Sequence, residues 1–166
     1  MPSAPPQNES EADRLNRNFN ELLQELRVTQ NGTQILFAFL LTVPFSSRFG
    51  SVTPTQRAVY FVALLLAAFS AMLLITPAVM HRVMFRQHYK KELVHTASRV
   101  ALLGQILLAF AVAASVFLVT DYLYSRALAF GMSTGVLLWT TAWFFGLPLY
   151  LRARSSQDED DTTSSR

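Results

Sequence analysis

The spacing of charges along this chain constrains its fold more than any other feature. Between Arg27 and Arg48 lie 20 residues without an Asp, Glu, Lys or Arg, and the runs from Arg57 to Arg82, Arg99 to Asp121 and Arg126 to Arg152 hold 24, 21 and 25. A hydrocarbon core of about 30 Å is crossed by about 20 helical residues, so each run is long enough to span it. The second, third and fourth runs are continuously apolar; in the first, the apolar part extends only from Ile35 to Phe45, behind the polar string TQNGTQ. A single such run also suits the core helix of a soluble domain. Four in succession in 166 residues, 51% of them hydrophobic and 15% charged, leave too little polar chain to cover them. A membrane β-barrel would instead show segments of about ten residues with alternating polarity. The expected fold is therefore all-α and integral to the membrane: a four-transmembrane-helix bundle. Its membrane domain covers residues 33–151, with spans near 33–47, 58–80, 100–120 and 127–150.

Lys and Arg set the orientation. With four spans, both termini share a side with the 82–99 segment, and that side holds eleven basic residues against three (Arg48, Arg57 and Arg126) on the other. Basic residues concentrate on the cytoplasmic face, so both termini are expected there, in a multi-pass protein of the plasma membrane. More than thirty mostly polar residues precede Ile35. A cleaved signal has a short basic region directly before its apolar stretch, so the start is expected to be retained.

Residues 1–13 and the acidic tail 152–166 have almost nothing to bury and are expected to be disordered. The DEDD run at 158–161 reads as a solvated acidic block. Between the N-terminal tail and the first span, Leu15, Phe19, Leu22 and Leu26 recur at helical spacing. They predict an amphipathic juxtamembrane helix over 14–32, lying in the interface or running on into the first span.

The segment 81–99, HRVMFRQHYKKELVHTASR, contains no Gly or Pro and predicts a basic cytoplasmic helix between spans two and three. Arg82, Arg86, Lys90, Lys91 and Arg99 are suited to anionic lipid headgroups, at about 1 kcal/mol each near the surface. His81, His88 and His95 recur every seven residues. Together His88, Glu92 and His95 place three candidate metal ligands on one helical face. A His-bearing basic interfacial helix accounts for the same pattern, so no metal or other cofactor is expected. Imidazole titration near neutral pH offers a further role for these residues. No motif for nucleic acid accompanies the basic charge.

No ionisable residue lies well inside a span: Glu25 and Arg27 sit at the inner rim of the first, and Asp121 at the outer end of the third. The polar residues at depth, among them Gln34, Thr42, Ser70, Thr76, Gln105, Ser115 and Thr140, suit hydrogen bonding between helices. Small residues four apart (Ala63-Ala67-Ala71, Ala109-Ala113 and Gly131-x-x-x-Gly135) suit close helix packing, within the chain or between copies. Trp139 and Trp143 share a face as packing residues, and Pro148 marks a kink or stop in the last span. The chain has no cysteine, and neither a P-loop, a nucleophile elbow, an HExxH motif nor a dinucleotide fingerprint appears. No internal repeat of the inverted-transporter type is evident. No enzyme activity is expected.

The stretch ELRVTQNGTQILFAFLL, residues 25–41, followed by Pro44-Phe45, resembles a family of small bacterial four-span membrane proteins of unknown function, often labelled sodium:proton antiporters. His81-Arg82 after Pro77, with Phe85-Arg86 following, fits the same resemblance, which covers roughly residues 15–151. The label implies exchange of Na⁺ for H⁺. Under it the candidate transport residues are Glu25, Gln30 and Gln34 at the inner mouth, Gln105 within the third span and Asp121 outside. Exchange normally needs a carboxylate at membrane depth, and both carboxylates here are at rims. The reading of the residues is therefore a non-enzymatic bundle, in contact with membrane lipids, that self-associates or joins a membrane complex. The alternative is a small cation transporter of the antiporter type.

Overall fold

The computed structural model describes residues 11–84 and 90–143. Among them the regular elements are helices: α1 (Glu11–Thr42), α2 (Pro54–Met84), α3 (Lys90–Leu123) and α4 (Arg126–Thr141), with 3₁₀ turns at Val43–Phe45 and Phe49–Ser51. The chain divides within α3 into two compact units, residues 1–111 and 112–166.

In the first unit, α2 follows a seven-residue repeat along nearly its whole length. Its buried residues are Gln56, Tyr60, Ala63, Ala67, Ser70, Leu74 and Pro77, at alternating intervals of four and three. Helix α1, which packs on α2, buries Leu26, Thr33 and Leu40 at intervals of seven, with Gln30 and Phe37 half-buried beside them. A 3.5-residue period keeps one seam facing its partner and corresponds to the shallow left-handed crossing, about 20°, of coiled coils and most membrane bundles. Near one end Leu26 of α1, Leu74 of α2 and Ala101 of α3 form a common core, with Leu22 packed against it.

Helix α2 starts on a capping box. The Thr53 N–H donates to Gln56 Oε1 at 3.0 Å, and the Gln56 N–H donates to Thr53 Oγ1 at 3.2 Å. Pro54, which has no N–H to leave unpaired, takes the first helical position.

Two helices among the described residues are long and apolar enough to cross a membrane, Pro54–Met80 and Thr96–Leu123. They coincide with the second and third expected spans. The first expected span differs. Helix α1 begins at Glu11, inside the segment expected to be disordered, and passes residues 32 and 33 without a break. It therefore joins the amphipathic segment and the apolar segment in one 32-residue helix. It ends at Thr42 because Pro44, without an N–H and with φ fixed by its ring, diverts the chain into a 3₁₀ turn. Its apolar part is thus too short for it to count with α2 and α3. At the other side, α2 runs on to Met84 and α3 begins at Lys90. The two ends of the expected basic helix are thus continuations of longer helices.

The second unit contains the end of α3 and α4. The Ser125 hydroxyl caps α4 by accepting from the Leu128 N–H at 3.4 Å. Phe117 and Phe130 meet edge to face with centroids 4.9 Å apart. The expected continuation of the fourth span to residue 150, with its Pro148, lies outside the described residues, as does the acidic tail.

Candidate functional site

Several polar side chains within the apolar helices have a backbone partner inside the chain. Pro44 cannot donate to the carbonyl of Leu40, four residues before it. The Tyr60 hydroxyl does so instead, from α2, at 2.9 Å. The Tyr60 ring also stacks edge to face on Phe49, 5.1 Å away. In lipid there is no water to compensate a carbonyl left without its donor, and a neighbouring helix can do it. At the other end of the hairpin the Gln30 side-chain amide, from α1, donates to the carbonyl of Leu74. Pro77 removes the donor of the adjacent Leu73 and crowds that turn of α2.

A third interhelical bond joins α2 to α3, from the buried Ser70 hydroxyl to the carbonyl of Gly104 at 2.8 Å. Close approach makes it possible. A Cβ on Gly104 would lie 2.9 Å from Leu74 Cγ and 3.2 Å from Leu73 Cβ. The hydroxyls of Thr33, Thr76 and Thr140 donate to carbonyls four residues earlier in their own helices. Thr42 bonds the carbonyl of Phe39. Every buried side-chain nitrogen and oxygen among the described residues has a hydrogen-bond partner.

Within the first unit the transport candidates take different surroundings. Gln30 is on the seam, bonded to Leu74, whereas Glu25 and Gln34 are exposed on other faces of α1, and Gln105 is half-buried on α3. In the second unit Asp121, its side chain 6% exposed, meets Arg126 Nε at 3.5 Å. The pairing has a plain electrostatic cause. Asp121 stands at the negative C-terminal end of α3 and Arg126 at the positive N-terminal end of α4, each opposed by its own helix dipole.

Of the residues suited to lipid headgroups, Arg82 and Arg99 are exposed. Arg86 and the side chains of Lys90 and Lys91 lie outside the described residues. So do His88 and the side chains of Glu92 and His95, the candidate metal ligands. Among the described residues no cluster of three His, Cys, Asp or Glu forms.

Gly131 and Gly135 differ from Gly104. A Cβ at either would meet nothing within 4 Å, so α4 uses neither for close packing among the described residues. Trp139 and Trp143 do share a face, with ring centroids 5.9 Å apart, but both are exposed.

Sequence reasoning missed Tyr60, and also Gly104, which has no second glycine at four-residue spacing. The signal for Tyr60 was Pro44, which deprives Leu40 of its donor. The Thr53-Pro54-Thr55-Gln56 string likewise carries the capping box in plain sight.

A family of unknown function, DUF6328, has a model that matches residues 8–148, and the chain belongs to that family. No curated protein and no solved structure matches the chain.

Proposed function

We propose that this member of the family is a non-enzymatic, multi-pass protein of the plasma membrane, with both termini cytoplasmic. Its work is to associate with a second copy of itself or with a larger membrane complex. The observation that favours this reading over ion transport is the use made of the polar side chains. Gln30, Tyr60 and Ser70 each bond a backbone carbonyl of a neighbouring helix. Groups so occupied hold helices together; they are not held open for a passing ion.

The membrane part of the reading is supported by surface. Only 28% of the most apolar stretch of Pro54–Met80 and 22% of that of Thr96–Leu123 is buried within the chain. Phe61, Phe69 and Met72 of α2 and Leu103 and Phe110 of α3 are exposed. Lipid tails are the solvent such a surface suits. On α4, Gly131 and Gly135 offer a face on which a neighbouring helix of a complex can pack closely.

The test is the mass of the particle in mild detergent by light scattering. Two or more chains, or a companion protein in fixed ratio, is the expected result. A particle of one 18.6 kDa chain without a companion contradicts the reading.

A second reading, a small cation transporter of the sodium:proton antiporter type, has one observation behind it. Asp121 is a carboxylate only 6% exposed, at the end of an apolar helix. Its pairing with Arg126 counts against a role in alternating between proton and cation.

A further inference from the structure

Helix α1 has a second stripe, on a face other than the one it turns to α2. Asn20, Gln24, Arg27, Asn31, Gln34 and Ala38 follow one another at intervals of four, three, four, three and four, and all are exposed. That spacing lines them up along one face. Beside them runs an apolar strip, Val28, Ile35 and Phe39, between 69% and 75% exposed, which is a surface for lipid. The amide stripe is not such a surface.

Its depth follows from the two carbonyl bonds. Leu40 with Tyr60, and Gln30 with Leu74, set an antiparallel register between α1 and α2. Gln34 therefore lies level with residues 66–70 of α2, the middle of the Pro54–Met80 stretch, and Asn31 lies one turn further in. If α2 crosses the bilayer, as the reading above holds, both amides are at hydrocarbon depth, where lipid offers no hydrogen bond.

We propose that a second copy of the chain covers this stripe, with Asn31 and Gln34 of each copy bonded to those of the other. Copies inserted in the same orientation are related by a two-fold axis along the membrane normal, so α1 meets α1 in parallel and each residue faces its own counterpart. An amide carries both donors and an acceptor and is therefore complementary to itself, which a lone cation or carboxylate is not. Ala38 lets the helices approach, and Arg27, level with residues 73–77 of α2, stands toward the inner end of the apolar stretch, from which its long side chain can reach the headgroups. This inference rests on the association reading and names its surface.

The absence of cysteine makes the test direct. Single-cysteine variants Gln34→Cys and Ala38→Cys on the stripe, Ile35→Cys and Phe39→Cys beside it, and Gly135→Cys on α4 are oxidised in native membranes. The four α1 sites are exposed and Gly135 stands in open space, so the fold is kept, and Ala38→Cys retains both amides. A disulfide-linked pair of chains forming at 34 and 38 at least ten times faster than at 35 and 39 is expected. Equal rates around the helix overturn the proposal. A band at Gly135 without one at 34 or 38 overturns it but leaves the association reading standing on α4. No band at any site removes self-association altogether. Labelling of Gln34→Cys by a membrane-impermeant maleimide, without cross-linking, means water covers the stripe and also overturns the proposal.

Discussion

The side-chain amide of Gln30 donates to the backbone carbonyl of Leu74, three residues before Pro77. The carbonyl that Pro77 leaves without a donor is that of the adjacent Leu73, so this bond is an added one within the proline's turn. In the opposite direction the Tyr60 hydroxyl reaches the carbonyl of Leu40, which Pro44 has left without its usual donor. The two bonds lie at opposite ends of the α1–α2 seam and together set its register. Between membrane helices the hydrophobic effect offers little drive, so packing and bonds of this kind decide which faces meet.

Replacing Gln30 with Leu keeps the bulk and removes the donor. Interhelical bonds in membranes contribute about 0.6 kcal/mol on average and about 1.7 at most. Gln30→Leu is expected to cost about 1 kcal/mol in unfolding measured by SDS titration. The cost should be the same in a Pro77→Ala background, because the N–H that residue 77 regains serves Leu73 and leaves the carbonyl of Leu74 to Gln30. A cost that shrinks in that background would show that the amide also serves Leu73.

Tyr60→Phe retains the contact with Phe49 and deletes the hydroxyl. A loss of about 1 kcal/mol is expected. In a Pro44→Ala background the new N–H can serve Leu40, and the loss should fall toward zero by the same titration.

Glycine substitutions separate the packed helix pair from the open one. Gly104→Ala forces a Cβ against Leu74 and Leu73 and is expected to cost about 1–3 kcal/mol. Gly131→Ala and Gly135→Ala meet open space within the chain, so in a detergent that keeps the chain monomeric the higher helix propensity of Ala, up to about 1 kcal/mol, should leave them neutral or stabilised. Melting temperatures of the three variants in one detergent check the order.

How far this was legible in the sequence differs from helix to helix. Uninterrupted apolar runs suffice to find α2 and α3, because a stretch such as AVYFVALLLAAFSAMLLI permits little else. Helix α1 defeats the same reasoning. Its polar residues Thr33 and Gln30 are buried and half-buried on the seam, while Ile35 and Phe39 are exposed, so polarity and burial run against expectation there. Gln30 and Gln34, one turn apart, looked like one site. The seam turns the first toward Leu74 and leaves the second outside, which only the partner helix decides. Spacing also favoured Gly131 and Gly135 over Gly104, yet the glycine in contact is the one facing Leu74. Periodicity names faces; which face is covered depends on elements distant in the chain.

The most direct test of the central claim, that the polar groups at depth hold helices together and do not carry ions, is Na⁺-driven proton movement in inside-out vesicles. Wild type is compared with Glu25→Gln and Asp121→Asn, with insertion of each shown beforehand. The account predicts no signal above empty vesicles in any of the three. A Na⁺-dependent signal in the wild type that either variant abolishes would contradict it and identify the carboxylate that exchanges proton for cation.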